Sequence, residues 1–243
     1  LWRSKDGGES WEWRPGLTEL PSSSGWAFPP RPETHHVRWI ACHPHDPGRL
    51  WLAIEAGALV STLDGGGSWS DRTPDGPRDT HEAAIHPDRP ETLRVAAGDG
   101  YFESEDGGTH WCSPLEGLEV TYMRSVAIDP SDPDVLVVSA ASTARRAYVA
   151  GLSDGRLYRR AADGICSGRW ARITDGWPED PTTIAPLLAS GSTGGEIWAA
   201  DERGIHRSKD GGEGWDHLAG LPKTPSHLRG LALLTGRPSE AIT

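Results

Sequence analysis

Three cysteines, one methionine, two phenylalanines and three lysines are all that 243 residues contain of those types. Cys42, Cys112 and Cys166 are odd in number and widely spaced, with no Cys-x-x-Cys pair. That pattern argues against a disulfide framework or a zinc knuckle and points to a reducing compartment. The expected location is therefore cytoplasmic, with a periplasmic or secreted one as the alternative if an upstream signal was removed. No apolar run approaches the ~18 residues of a membrane-spanning helix, and mean hydropathy is -0.52, so no membrane partner is expected. Basic residues are outnumbered, 24 against 35 acidic, for a net charge of -11. A general nucleic-acid binder needs a basic face to release counterions, so that class is excluded too. The basic residues that exist are mostly Arg, a bias that GC-rich coding also produces and that carries no functional information.

What the chain does have is glycine (30), proline (20) and tryptophan (12). Gly and Pro together reach about a fifth of the residues, where average usage is roughly 12%. Spread along the chain, they exclude a helical bundle or a coiled coil. So many Trp, costly to leave in water, argue against disorder. The length suffices for a sizeable core, and residues 1–243 read as a single domain.

An internal repeat organises that domain. Ser4-Lys-Asp-Gly-Gly-Glu-Ser-Trp11, Thr62-Leu-Asp-Gly-Gly-Gly-Ser-Trp69, Ser104-Glu-Asp-Gly-Gly-Thr-His-Trp111 and Ser208-Lys-Asp-Gly-Gly-Glu-Gly-Trp215 share one pattern, and Asp163–Trp170 is a broken copy. Successive Trp are 58, 42, 59 and 45 residues apart, a period that suits four-stranded propeller blades. The Asp-Gly-Gly core reads as a hairpin turn: Gly supplies positive φ and Asp accepts backbone amides. Each of the last four copies follows Gly and an apolar stretch (Gly57–Val60, Gly100–Phe102, Gly155–Tyr158, Gly204–His206), the expected third strand, with the Trp opening the fourth.

First strands are expected at Val37–Cys42, Glu82–Ile85, Met123–Ile128, Ile184–Leu188 and Leu228–Leu234. Three end in Pro-rich turns, His43–Pro47, His86–Pro90 and Asp129–Pro133, which stop a ladder. Second strands follow at Leu50–Ile54, Thr92–Ala96, Val135–Val138 and Glu196–Ala200. The fold expected is all-β, a propeller of five such blades, the N-terminal one completed by strands from the C-terminus. The alternative is a fragment of a six- or seven-bladed propeller.

The repeats resemble the Asp-box, or BNR repeat, Ser-x-Asp-x-Gly-x-Thr-Trp, and they tile nearly the whole chain. Sialidases, sortilin-type receptors, photosystem II assembly factors and bacterial BNR-repeat glycosyl hydrolase-like proteins carry it, and the chain looks most like the last group. The resemblance implies a β-propeller whose repeats are structural, so function must be sought elsewhere.

In a propeller the innermost strands line the central channel. Aligned on the shared turns, Arg38, His81 and Arg124 fall at one position, with Arg229 joining them from Leu228-Arg-Gly-Leu. Two residues earlier stand His36, Asp79, Tyr122 and His227, and the period of two puts both sets on one side. The loops before two of these strands, Pro29–His36 and Gly76–His81, both carry Pro-Arg, an acid and Thr-His, adding Arg31, Glu33, His35 and Arg78. A ring of Arg and His at the channel mouth is the expected ligand site, built to hold a carboxylate or phosphate. His43, His45 and His86 sit in turns without ligand spacing, and neither a metal nor a cofactor is expected.

The sialidase resemblance implies an arginine triad, a Tyr–Glu pair and an Asp acid. Arg38, Arg124 and Arg229 with Tyr122, Glu82 and Asp79 are the matching residue types, Asp79 and Tyr122 being the catalytic candidates. Glu82, however, follows His81 and by the period of two points away from the mouth, and the Arg-Ile-Pro motif of sialidases is absent. The leading expectation is thus a monomeric binding or assembly module for an anionic small molecule, a glycan or a protein segment. A sialidase-like glycosidase at the same mouth is the alternative. Exposed Trp26 and Phe28 would mark a protein-binding mouth.

Overall fold

A computed structural model describes residues 1–28, 31–178, 182–221 and 228–234. Among these described residues, sixteen strands form five antiparallel sheets. The first holds β1 (Trp2–Arg3) and β2 (Glu12–Trp13); the second holds β3 (Val37–Cys42), β4 (Leu50–Ile54) and β5 (Ala58–Thr62). The third holds β6 (Thr80–His86), β7 (Arg89–Ala97) and β8 (Gly100–Ser104). In the fourth are β9 (Tyr122–Asp129), β10 (Asp132–Ala141), β11 (Arg156–Ala161) and β12 (Ala171–Arg172), and in the fifth β13 (Leu187–Ser190), β14 (Ile197–Asp201), β15 (Gly204–Ser208) and β16 (Asp216–Ala219). The innermost strands β3, β6, β9 and β13 pack side by side in that order. This is the arrangement of propeller blades.

Both faces of each inner sheet are buried, and each face belongs to a different layer. Along β10, Leu136, Val138 and Ala140 pack with Tyr101 and Ala96 of the third sheet, while Val137 between them packs with Leu188, Ile197 and Ala199 of the fifth. The period of two thus glues each blade to its two neighbours instead of filling one central core.

The Asp-box turns form as their sequence dictates. In the second sheet Thr62 Oγ1 donates to Asp64 Oδ1 at 2.8 Å and accepts the Gly66 amide at 2.9 Å, while Asp64 accepts the Gly67 and Ser68 amides at 2.7 and 2.9 Å. Gly65 and Gly66 sit at φ of 71° and 91°, where a side chain would be strained. The Trp111 indole closes its own box by donating to Gly108 O at 3.0 Å.

Four expectations need correction. The fourth strand of the second and third blades is reduced to single bridges, Ser61 with Ser70 and Glu103 with Cys112. The strand expected at Ile184–Leu188 runs instead over Leu187–Ser190. Pro186 has no N–H for the ladder, and the Ile184 and Ala185 amides go to Glu202 and Ala147 O. Leu228–Leu234 forms no strand: Gly230 at its centre brings no side chain to pack, and among the described residues β1 and β2 pair only with each other. Ile40 of β3 is accordingly 46% exposed, whereas its aligned partners Ala83 and Val126 are buried. Lastly, Cys112 and Cys166 are joined by a disulfide, leaving Cys42 free. The 54-residue separation hid the pair, because the propeller brings the third box beside the broken fourth one.

Candidate functional site

The three residues aligned from sequence occupy one structural position, and it is a distinctive one. In the ladder of β3 with β4, Val37 faces Ile54 and Trp39 faces Ala53, so Arg38 is skipped. In β6 with β7, Thr80 faces Ala97 and Glu82 faces Ala96, skipping His81. In β9 with β10, Met123 faces Ala140 and Ser125 faces Ser139, skipping Arg124. Three of the four innermost strands, β3, β6 and β9, therefore bulge at the same place. A bulge inserts one unpaired residue and re-aims its side chain.

The bulged side chains converge on a group that sequence alignment missed. Residues 142–155 connect β10 to β11, where the other blades make turns of two or three residues (Glu55–Gly57, Gly98–Asp99, Glu202–Arg203). This insertion carries helix α1 (Ala144–Tyr148), capped by Thr143, whose Oγ1 accepts the Arg146 amide. Tyr148 ends up between two guanidiniums: Arg38 Cζ is 5.4 Å and Arg124 Cζ 4.7 Å from its ring centroid. Arg38 also donates to Tyr148 Oη at 2.6 Å and to Glu55 Oε1 at 2.9 Å. Arg124 is spent on backbone carbonyls, those of Ala185 at 2.5 Å, Leu228 at 2.7 Å and Ala147 at 3.3 Å. Burial pushes Arg124 down to about 10. Burial also works against the charge of Arg38, but Tyr148 and Glu55 outweigh it and hold that guanidinium above its ordinary value.

His36, Asp79 and Tyr122 join the same cluster. His36 Nδ1 lies 2.6 Å from Glu55 Oε2, with its ring against Phe28. Asp79 Oδ1 accepts the Ala56 amide at 2.8 Å and stands 3.6 Å from His81 Nε2. Burial would raise the Asp79 carboxyl, yet the His81 hydrogen bond and charge hold it below the usual carboxylate range. Tyr122 Oη is 3.3 Å from His81 Nε2, and burial drives its phenol well up. Glu82 departs from the expected alternation. The bulge at His81 turns it inward, where it accepts the Ser125 hydroxyl at 2.5 Å beneath Arg38 and Arg124, and burial raises it to about 8.

Other expected residues fall away from this centre. Arg229 is exposed on the strandless segment and, among the described residues, makes no hydrogen bond or ion pair with the group. His227 lies outside the described residues. Arg31, Glu33 and His35 are exposed. Trp26, expected to mark a protein-binding mouth if exposed, is buried with Leu52 and Ile54, and Phe28 is half-buried. His45 in its turn and His86 at the end of β6 reach Pro87 O and Pro130 O of the next blade. Arg78 is exposed, its backbone pinned by Asp99 and Gly57. It lines a cleft of about 300 Å³ with Arg72, Asp79, Ser22, Gly25, Ala56 and Gly57.

Glu55 was missed although it left a trace. An acid sits in the turn after the second strand in three blades: Glu55, Asp99 and Glu202. Asp99 and Glu202 accept backbone amides of the segment leading into the innermost strand, at Arg78, Asp79 and Ile184. Glu55 alone binds side chains there instead, those of His36 and Arg38.

No family model matches the chain, and no curated protein matches it. Solved structures do. A GH74 enzyme from Niastella koreensis is similar over 88% of this chain at 15% identity and a TM-score of 0.63. A GH74 xyloglucanase from Xanthomonas campestris is similar over 87% at 17% identity and 0.62. In both cases the chain spans 34% of the other protein's length. A putative gluconolactonase is similar over 80% of this chain and 68% of its own length, at 19% identity and 0.53. These likenesses show the β-propeller fold.

Proposed function

We propose that the chain is an Asp-box propeller of the BNR kind that serves as a binding module for a small anionic saccharide, a sugar acid or the acidic end of a glycan. The cleft beside the channel mouth carries this reading. Arg38 and Arg124 are consumed inside the protein, but Arg72 and Arg78 face the cleft and, among the described residues, neither guanidinium is salt-bridged. A carboxylate on the ligand takes these forks, and ring hydroxyls take Asp79. A volume of about 300 Å³ lies at the small end of ligand pockets, room for a single sugar ring. A net charge of -11 fits a small acid held locally better than nucleic acid or an anionic membrane. The Cys112–Cys166 bond supports the periplasmic or secreted alternative over the cytoplasm, where such bonds are rare.

Calorimetry and thermal shift with glucuronate and galacturonate, against methyl glucoside, test the reading. The acids should raise the melting temperature and the neutral sugar should not. Saturation at 100 times Kd would add about 2.7 kcal/mol of stability. Arg78→Ala, exposed and outside every ladder, should abolish the response. Turnover of aryl glucuronides would instead move the function to the hydrolase alternative at this mouth, and no response to any acid would overturn the saccharide reading.

A further inference from the structure

We propose that Glu55, Asp79 and His81 form a binding site for one divalent transition-metal ion at the channel mouth. The proposal does not depend on the sugar-acid reading. One ligand atom from each of the three residues lies within 4.8 Å of the other two. The decisive geometry is at His81, whose side chain is wholly enclosed. Its Nδ1 lies 2.5 Å from Met123 O, a carbonyl that can only accept, so Nδ1 carries the hydrogen. Nε2 is left as the nitrogen available to a ligand, and it faces Asp79 Oδ1 at 3.6 Å. Tyr122 Oη stands beside the same nitrogen at 3.3 Å, so Nε2 is turned into a cluster of oxygen atoms.

A cation would draw this nitrogen and both carboxylates onto one centre. Ligand atoms bound to one tetrahedral zinc at about 2.1 Å lie about 3.4 Å apart, close to the His81–Asp79 separation. Every proposed ligand also has its orienting partner, as metal ligands usually do: Met123 O for His81, the Ala56 amide for Asp79, and Arg38 and His36 for Glu55. One imidazole and two carboxylates suit zinc or manganese, with a coordination position left for solvent or a ligand oxygen.

The test is titration of chelator-treated, full-length protein with Zn(II) by calorimetry and with Co(II) by visible absorption. One ion per chain should bind, with a Co(II) d–d band. Asp79→Asn and Glu55→Gln should each weaken binding at least tenfold while the circular dichroism spectrum stays unchanged. They are the primary variants because His81 is buried and its replacement endangers folding. A double His43→Ala, His45→Ala variant should bind normally. Absence of saturable binding would overturn the proposal. So would binding that Asp79→Asn and Glu55→Gln leave intact.

Discussion

The first and last Asp-boxes differ at one residue in eight, Ser10 against Gly214, and their turns are nearly superimposable in hydrogen bonding. Ser4 and Ser208 donate to their Asp at 2.8 and 2.7 Å, and Gly8 and Gly212 donate back to those hydroxyls at 2.7 and 2.8 Å. Both indoles close on the turn, at 3.1 and 3.2 Å. Yet Trp11 is 59% exposed and Trp215 is 6% exposed. Trp215 lies in a layer with Trp177, Ile173 and Val137, and no described strand covers Trp11. The box is therefore a local device that folds on its own hydrogen bonds. Its contribution to the stability of the whole is set by the neighbouring blade.

Four measurements would break or sharpen this contrast. The largest effect is expected for Trp215→Ala, a loss of about 3–5 kcal/mol as for other buried aromatics, whereas Trp11→Ala should stay within about 0.5 kcal/mol. Equal urea midpoints for the two variants would refute the comparison. The broken box at Asp163–Trp170 lacks the intact turn and holds its neighbour through Cys166. Replacing Cys112 and Cys166 by Ser should cost about 2–4 kcal/mol for a loop of this length, measured as ΔG of unfolding. Gly8 and Gly212 share a left-handed φ, 98° and 92°, so alanine strains both by about 1–2 kcal/mol. At Gly212 the new methyl also collides with Val137, which should add about 1–3 kcal/mol, while at Gly8 it only grazes Trp11 at 3.9 Å. The smallest effect is acid sensitivity. Asp106 is held at about 2 by the amide and side chain of His110 and by Ser104, against an ordinary 3.8, despite a burial that opposes it. A depressed carboxyl lends stability above about pH 4 that is lost as pH falls through about 2. The urea midpoint should drop across that window, and less so in Asp106→Asn.

Turn chemistry and alternation were the legible parts. Gly–Gly pairs after Asp announced every intact box, and the alignment on Pro turns placed Arg38, His81 and Arg124 at one structural position. Its weak point was the period of two. A bulge is a backbone event with no residue signature here, so Glu82 was assigned to the wrong face. Tyr148 escaped because it lies in an insertion with no counterpart in other blades, although the length of residues 142–155 was itself a signal. The pairing of Cys112 with Cys166 depends on which blades are neighbours, a fact of tertiary structure. Arg229 shares the local pattern of Arg124 but not the strand, since local pattern cannot supply a pairing partner.

The cross-link between the third and fourth blades also sets how the molecule answers to force. Tension applied at the two ends travels along the backbone to Cys112 and crosses directly to Cys166. The 54-residue span between them, holding β9, β10, α1 and β11, bears no load while the bond is intact. About 180 Å of contour, at about 3.4 Å per residue, stays stored until the bond is reduced. Stretched from its ends, the propeller would yield its outer blades first and keep Tyr122, Arg124 and Tyr148 inside a mechanically shielded loop.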